Sequence, residues 1–171
     1  MVEERKEKTF IDTVVSVKRV TKVTKGGKRF SFSVFVVSGD TEGNVGIGLG
    51  KGKEVSSAIA KATTKARKNM IRVPLRNSTI PYDVTGKHGA SRVIIRSASK
   101  GTGTIAGGPM RAVMQAAGIE DVLAKSLGSA NKQNVVKATL NALAKLRSLK
   151  NMQKLRGITT TQIVKGSHVS A

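Results

Sequence analysis

The sequence predicts an α+β chain of two consecutive units, and three observations lead there. Between Phe10 and Leu49 lie three stretches dense in β-branched or alternating apolar residues, separated by glycine-bearing turns. A helix-spaced apolar stripe follows them. Strand and helix patterns then restart only after the segment Pro74 to Thr85, with its two prolines and small polar residues. With 171 residues the chain is long enough for two small cores of roughly 75 residues each. The expected organisation is a charged tail over 1–8, a first domain over 9–73, a second α/β domain over 74–150 and a basic tail over 151–171.

Phe10 to Val23 mixes apolar residues with Lys and Thr at many β-branched positions, which reads as one long strand. Lys25-Gly26-Gly27-Lys28 is a turn signal, glycine supplying positive φ. Beyond it Phe30, Phe32, Val34 and Val36 alternate with Ser31, Ser33, Phe35 and Val37, completing a hairpin with a basic tip. Gly39 to Asn44 is a second turn. Val45, Ile47 and Leu49 then alternate with Gly46, Gly48, Gly50 and Gly52, so one face of this third strand is nearly bare and something must approach it closely. Glu54 places an acid in the first turn of a helix whose buried stripe is Val55, Ile59, Ala62, Ala66 and Met70, ending near Met70 or Ile71. Lys61, Lys65, Lys68 and Arg72 form a second stripe on that helix, rotated roughly a third of a turn from the first.

In the second half, Arg92 to Ile95 is an apolar strand, followed by the glycine-rich run Gly101 to Gly108. Pro109 sits where a first helical residue would, Met110, Val113, Met114 and Ala117 make a short apolar face, and Gly118 stops the helix. Ile119 to Leu127 reads as a strand. Asn131 caps a longer helix through Leu149, with Val136, Leu140, Leu143 and Leu146 or Leu149 facing inward. From Asn151 onward the pattern dissolves into a polar, basic tail.

Charge points to the partner. Thirty-one Lys and Arg against ten Asp and Glu give +21 and a pI near 11.0, a self-repulsion that an anionic partner relieves. From Lys51 to Arg111 there are thirteen cations and two acids, Glu54 and Asp83, whereas an ordinary solvated surface mixes both signs. Aromatics at 3%, with no Trp, argue against a base-stacking platform. The lack of Cys excludes disulfides, thiolate metal sites and cysteine nucleophiles, and two histidines, His88 and His168, make no metal cluster, so neither metal nor cofactor is expected. Met1 to Thr9 has no apolar signal core and no stretch is long enough to span a membrane, so the expectation is a soluble, intracellular protein without a membrane partner.

Chemistry is weighed against the same residues. The glycine runs at Gly46 to Glu54 and Gly101 to Met110 each lead into a helix and could offer amides to phosphate. Neither fits a P-loop or dinucleotide fingerprint, no Gly-x-Ser-x-Gly elbow occurs, and carboxylates for metal-dependent phosphoryl transfer are missing, so no catalytic centre is expected. His88 reads as a loop histidine touching phosphate or water, with an acid–base pairing to Asp83 as the remote alternative; Tyr82 reads as a boundary anchor, Met110 and Met114 as core. The RNA-binding candidates are Lys22, Lys25, Gly26, Gly27, Lys28 and Arg29 at the hairpin tip, Lys51 and Lys53 after the third strand, and Lys61, Lys65, Lys68 and Arg72 on the helix, although such a stripe alone is usually just a wet face. Three strands then a helix is the order of a double-stranded RNA-binding domain without its first helix, which favours shape and backbone recognition of RNA.

Ordered blocks between Val14 and Lys145 resemble the family of bacterial small-subunit ribosomal protein five. They are Val17-Lys-Arg-Val-Thr-Lys-Val-Thr-Lys-Gly-Gly-Lys-Arg-Phe, Val45-Gly-Ile-Gly-Leu-Gly-Lys-Gly-Lys-Glu-Val, Ser91-Arg-Val, Gly101-Thr-Gly-Thr-Ile-Ala-Gly-Gly, Met110-Arg-Ala-Val and Asn134-Val-Val-Lys-Ala-Thr. The resemblance implies a double-stranded-RNA-binding-like first domain, a second α/β domain of the type named after this family, and a cytoplasmic, non-catalytic protein bracing head against body in the small subunit. It further implies a hairpin loop, Lys22 to Arg29, set in ribosomal RNA in the region linked to spectinomycin sensitivity, and a role in fidelity and at the messenger RNA entry channel with proteins three and four. Gly103 and Arg111 fall in its segment facing protein four, and a contact with protein eight is implied without assigned residues. On the residues themselves, Gly103 permits positive φ or close approach, and Arg111, in a first helical turn where an acid is preferred, suits an external carboxylate or phosphate. The family often has Pro where Lys132 follows the capping Asn131. The rivals are a free-standing double-stranded RNA binder or RNA chaperone, and a nucleotide-dependent enzyme acting on RNA.

Overall fold

The computed structural model describes residues 10–157 and 162–163; His168 and parts of both expected tails lie outside them. β1 (Ile11–Thr24) and β2 (Gly27–Gly39) form a long antiparallel hairpin, its register running from Ile11 opposite Gly39 to Thr24 opposite Gly27, with a bulge between Val14 and Ser16. β3 (Asn44–Gly52) pairs with β2 only as far as Phe32, so the hairpin beyond that pair is a free two-stranded ribbon. β4 (Met70–Arg72) adds to the other edge of β3, making a four-stranded sheet in the order β1-β2-β3-β4. The expected order of three strands then a helix is present, and β4 adds a fourth strand after the helix. The helix α1 (Val55–Lys68) stops at Asn69, whose backbone is non-helical, and ladder bonds to Val45 and its neighbours hold Met70 to Arg72 extended where another helical turn was expected.

α1 itself is what approaches the bare glycine face. A Cβ at Gly46, Gly48 or Gly50 would run into the carbonyl oxygens of Ala66, Ala62 or Ala58 respectively, and one at Gly52 would come within 2.6 Å of the Ser57 hydroxyl. The buried stripe is therefore Ala58, Ala62 and Ala66, with Val55 and Ile59 at its margins and Met70 off the helix. Glu54 is the N-cap residue with extended backbone and no side-chain cap bond, so the first turn holds no acid, contrary to expectation.

The second sheet orders β5 (Val84–His88), β6 (Ser91–Ser97), β8 (Val122–Gly128) and β7 (Thr104–Ile105) side by side, with only the β7–β8 pair parallel. Its inner face carries α2 (Gly108–Ala117) and α3 (Lys132–Ala144). β5 was not expected: its central Gly86 mimics a loop but is required because a Cβ there would meet the carbonyl of Ala138 on α3. His88, expected in a loop, ends β5 opposite Ser91. α3 stops at Ala144 rather than Leu149, because the Tyr82 hydroxyl donates to the Lys145 carbonyl (3.3 Å) and accepts from the Arg147 amide (2.9 Å), fixing a non-helical turn there. A separate α4 (Leu149–Arg156), capped by Ser148 and closed by Gly157 in the left-handed region, replaces the start of the expected shapeless tail.

The expectation of two separate cores also fails. Val34 and Val36 on one face of β2 pack with Ala58 and Ala62, while Phe35 and Val37 on the other face join a larger cluster with Val84, Val93, Ile95, Met110, Met114, Val122 and Leu143. β2 is thus covered on both sides, which explains its unbroken run Val34 to Val37. The turn after β2 completes the junction: the amides of Thr41 and Gly43 donate to the carbonyls of Ala116 and Ala117 (both 3.1 Å), satisfying the C-terminal end of α2.

Candidate nucleic-acid interface

The ribbon beyond Phe32 presents Lys22, Lys25, Gly26, Gly27, Lys28 and Arg29, all exposed. Lys25 and Gly26 form the turn, Gly27 takes φ +132°, and neither glycine has an atom within 4 Å of where a side chain would start. Lys22 stands directly opposite Arg29, and Lys28 opposite Val23. Like charges facing each other across a ladder cost free energy in the isolated protein, and an anion bound between them removes that cost. Arg19 lies 3.8 Å over the ring of Phe30, stiffening the base of the ribbon.

Lys51 and Lys53 are exposed at the foot of the ribbon, since Lys51 pairs with Ser33 and the chain then turns into α1. Lys61, Lys65 and Lys68 line one shallow groove along α1 with Ala60 and Thr64. Arg72 is not part of that stripe. It is exposed on β4, paired with Asn44 at the far edge of the sheet. Arg67, between the groove lysines in sequence, is instead bound to Asp12 (2.7 Å) beside the ring of Phe10. Among the described residues only two ion pairs form, Arg67–Asp12 and Arg96–Asp83, so most of the described cations have no described carboxylate within bonding distance.

Both glycine runs use their backbone inside the fold. The first is occupied by α1, and in the second the amides of Gly101 and Gly103 turn inward to the carboxylate of Asp121 (3.0 Å each). Asp121, 4% exposed, also accepts from the Ser78 hydroxyl (2.6 Å); that bond first, then the Gly103 amide, holds its carboxyl below the usual aspartate range. Sequence reasoning missed Asp121, because its partners are distant in the chain and an acid before a strand carries no motif. Gly103 has φ +77° and open space around it, so positive φ is the reason for glycine there. Arg111 is exposed in the first turn of α2 and donates to the Thr104 carbonyl (3.3 Å), an internal bond additional to the external anion expected for it, with other donors left over.

The remaining candidates fall into place. Asp83 binds the amide of Ser97 (3.0 Å) just before β5, whereas His88 ends that strand, roughly 16 Å away at 3.3 Å per residue, so no acid–base pair forms. Tyr82 anchors the end of α3, and Met110 and Met114 are fully buried. Among the described residues no three His, Cys, Asp or Glu cluster, and no helix is long and apolar enough to cross a membrane.

Residues 10–74 match the family model for ribosomal protein S5, N-terminal domain, and residues 86–156 the model for its C-terminal domain. The chain is 53% identical to small ribosomal subunit protein uS5 of Lawsonia intracellularis over 154 residues, covering 90% of this chain and 94% of that one. It is 50% identical to the protein of the same name from Salinibacter ruber over 163 residues, 95% and 93% of the two chains. A third relative of that name, from Flavobacterium psychrophilum, is 53% identical over 155 residues, 91% and 89%. The two family models together cover most of the chain, and relatives about half identical to it align over nine-tenths of its length, so the chain belongs to the ribosomal protein S5 family.

Proposed function

We propose that this chain is a structural protein of the small ribosomal subunit in the cytoplasm, with no catalytic centre, binding ribosomal RNA through phosphate and shape contacts. The observation that carries this is the ribbon: Lys22 held opposite Arg29, next to a bare Gly26-Gly27 tip, at the end of a rigid double-sided sheet. A phosphate backbone can approach such a tip to contact distance and neutralise a repulsion the fold has built in. Lys51 and Lys53 extend the surface at the ribbon foot, Lys61, Lys65 and Lys68 along α1, and Arg72 supplies a separate contact at the sheet edge.

The finer roles proposed with it are those the family resemblance implies, and the exposed ribbon and the open loop at Gly103 support them. The ribbon reaches into RNA between head and body and braces them. The loop of Gly103 and Arg111 meets protein four, a second contact is made with protein eight, and the protein contributes to fidelity and to messenger RNA entry. Sedimentation of endogenous protein through a high-salt wash tests the core of this. Stoichiometric retention on small subunits is expected; a mostly free pool would favour a free-standing double-stranded RNA binder or RNA chaperone.

A further inference from the structure

We infer that Asp121 is the positioning residue of the loop that carries Gly103 and Arg111, setting its shape from inside the fold so that the protein-facing surface is formed before any partner arrives. This rests on the proposed protein contact of that loop.

The bonds form a closed set. The Asp121 carboxylate takes the amides of Gly101 and Gly103 through one oxygen (3.0 Å each) and the Ser78 hydroxyl through the other (2.6 Å). Ser78 in turn accepts the amides of Glu120 and Asp121 at its carbonyl (2.9 and 3.0 Å), so the two residues grip each other through side chain and backbone. Gly101 and Gly103 take φ of +90° and +77°, which aims both amides at one point, the arrangement that otherwise captures an anion from solvent. Here the anion is built in. The Val122 amide then donates to the Gly103 carbonyl (3.2 Å), the Thr104 hydroxyl donates to the Glu120 carbonyl (3.0 Å), and the Thr104 carbonyl receives Arg111 (3.3 Å). Position therefore passes from Asp121 through Gly103 and Thr104 to the Arg111 guanidinium.

A loop held only by its ends would reach the same contacts after losing conformational freedom on binding; one organised around Asp121 has lost it already. The charge is secondary to the acceptor geometry. An amide side chain keeps one oxygen for the glycine amides and can still bond the Ser78 hydroxyl, which donates or accepts.

Two readouts on the full chain test this. The first is hydrogen exchange at Gly101 and Gly103 in the free protein. Asp121→Ala should accelerate both by at least tenfold, Ser78→Ala by less, and Asp121→Asn should stay within about threefold of wild type. The second is occupancy on small subunits depleted of this protein, with binding to an RNA duplex in parallel. Asp121→Ala should lower occupancy with duplex affinity unchanged, and Asn should restore it. Unchanged exchange in Asp121→Ala, or Asn as damaging as Ala, overturns the positioning role; if Asp121→Ala does not fold, unchanged exchange in Ser78→Ala does so. Accelerated exchange together with wild-type occupancy for both Asp121→Ala and Gly103→Arg would instead remove the proposed protein contact and leave the control of loop shape by Asp121 standing.

Discussion

Gly48→Ala measures how closely α1 lies on the sheet. The added methyl would overlap the Ala62 carbonyl oxygen and lie 2.8 Å from both the Ala62 carbonyl carbon and the Ala66 amide nitrogen. All three are backbone atoms, so no side chain can rotate away and the helix must lift. Overpacking of a core costs about 1–3 kcal/mol where side chains can adjust. With backbone on the far side the cost should sit at the top of that range, about 3 kcal/mol, because lifting α1 also loosens the contacts of Ala58, Ala62 and Ala66 with β3. For a chain of this size that corresponds to a fall in Tm of roughly 6–12 °C. The control is Gly108→Ala. A Cβ there meets nothing within 4 Å beyond its chain neighbours and Gly108 has no positive φ, so the change should move Tm by no more than about 2–4 °C, the Pro109 ring after it offsetting the gain from a less flexible unfolded chain. Thermal unfolding followed by circular dichroism reads both. A Gly48→Ala protein melting within about 2 °C of wild type would refute the proposed close packing of helix on sheet, and so would equal losses in the two variants.

Other outcomes are expected. Replacing Lys22, Lys25, Lys28 and Arg29 together by Ala should leave Tm nearly unchanged while lowering the log–log salt slope of RNA duplex binding by roughly 3, at 0.7–0.9 per phosphate contact; an unchanged slope would remove the ribbon from the interface. Because Asp121 has a lowered pKa in the fold, the stability contributed by its ionised form is fully present above the ordinary carboxylate range and is lost as pH falls through that lowered value. The Gly101 and Gly103 amide resonances should therefore titrate together with a midpoint below the usual aspartate value of about 3.9, and a midpoint at or above it would contradict the assignment. Gly103→Arg forces a side chain into φ +77°, and Arg111→Leu removes the bond to Thr104. Both should weaken the proposed contact with protein four and shift misreading in reconstituted translation with subunits matched for assembly; wild-type error rates despite lost binding would end the proposed fidelity role.

Legibility followed the range of the interactions. β1, β2 and their basic turn were readable because alternation and glycine turn chemistry act within a few residues. α2 was readable for the same reason: Pro109, the buried Met110, Val113 and Met114, and Gly118 at φ +78° all lie inside one short window. β4 and β5 were not. Met70 to Arg72 is too short for any period, and Val84 to His88 looks like loop because Gly86 lacks a side chain for a reason lying on α3. Arg72 was placed on a helix by spacing that continued past the real helix end at Lys68. Among the functional candidates, the ribbon cations were legible as exposed turn residues, whereas Asp121 was invisible.

Taken alone, the sequence determined the charge of the molecule, the hairpin with its cationic tip, and the requirement that something lie against Gly46 to Gly52. Periodicity, turn chemistry and the missing Cβ are properties of neighbouring residues and survive without a fold. The tertiary structure alone decided that α1 fills that face, that Phe35 and Val37 share a core with Met110 and Leu143, and that the amides of Gly101 and Gly103 serve a carboxylate of the same chain. Each of these pairs groups from separate strands or from opposite halves of the chain. Which surface meets which is settled only when all the elements compete to bury their apolar faces and to satisfy their backbone polar groups at once.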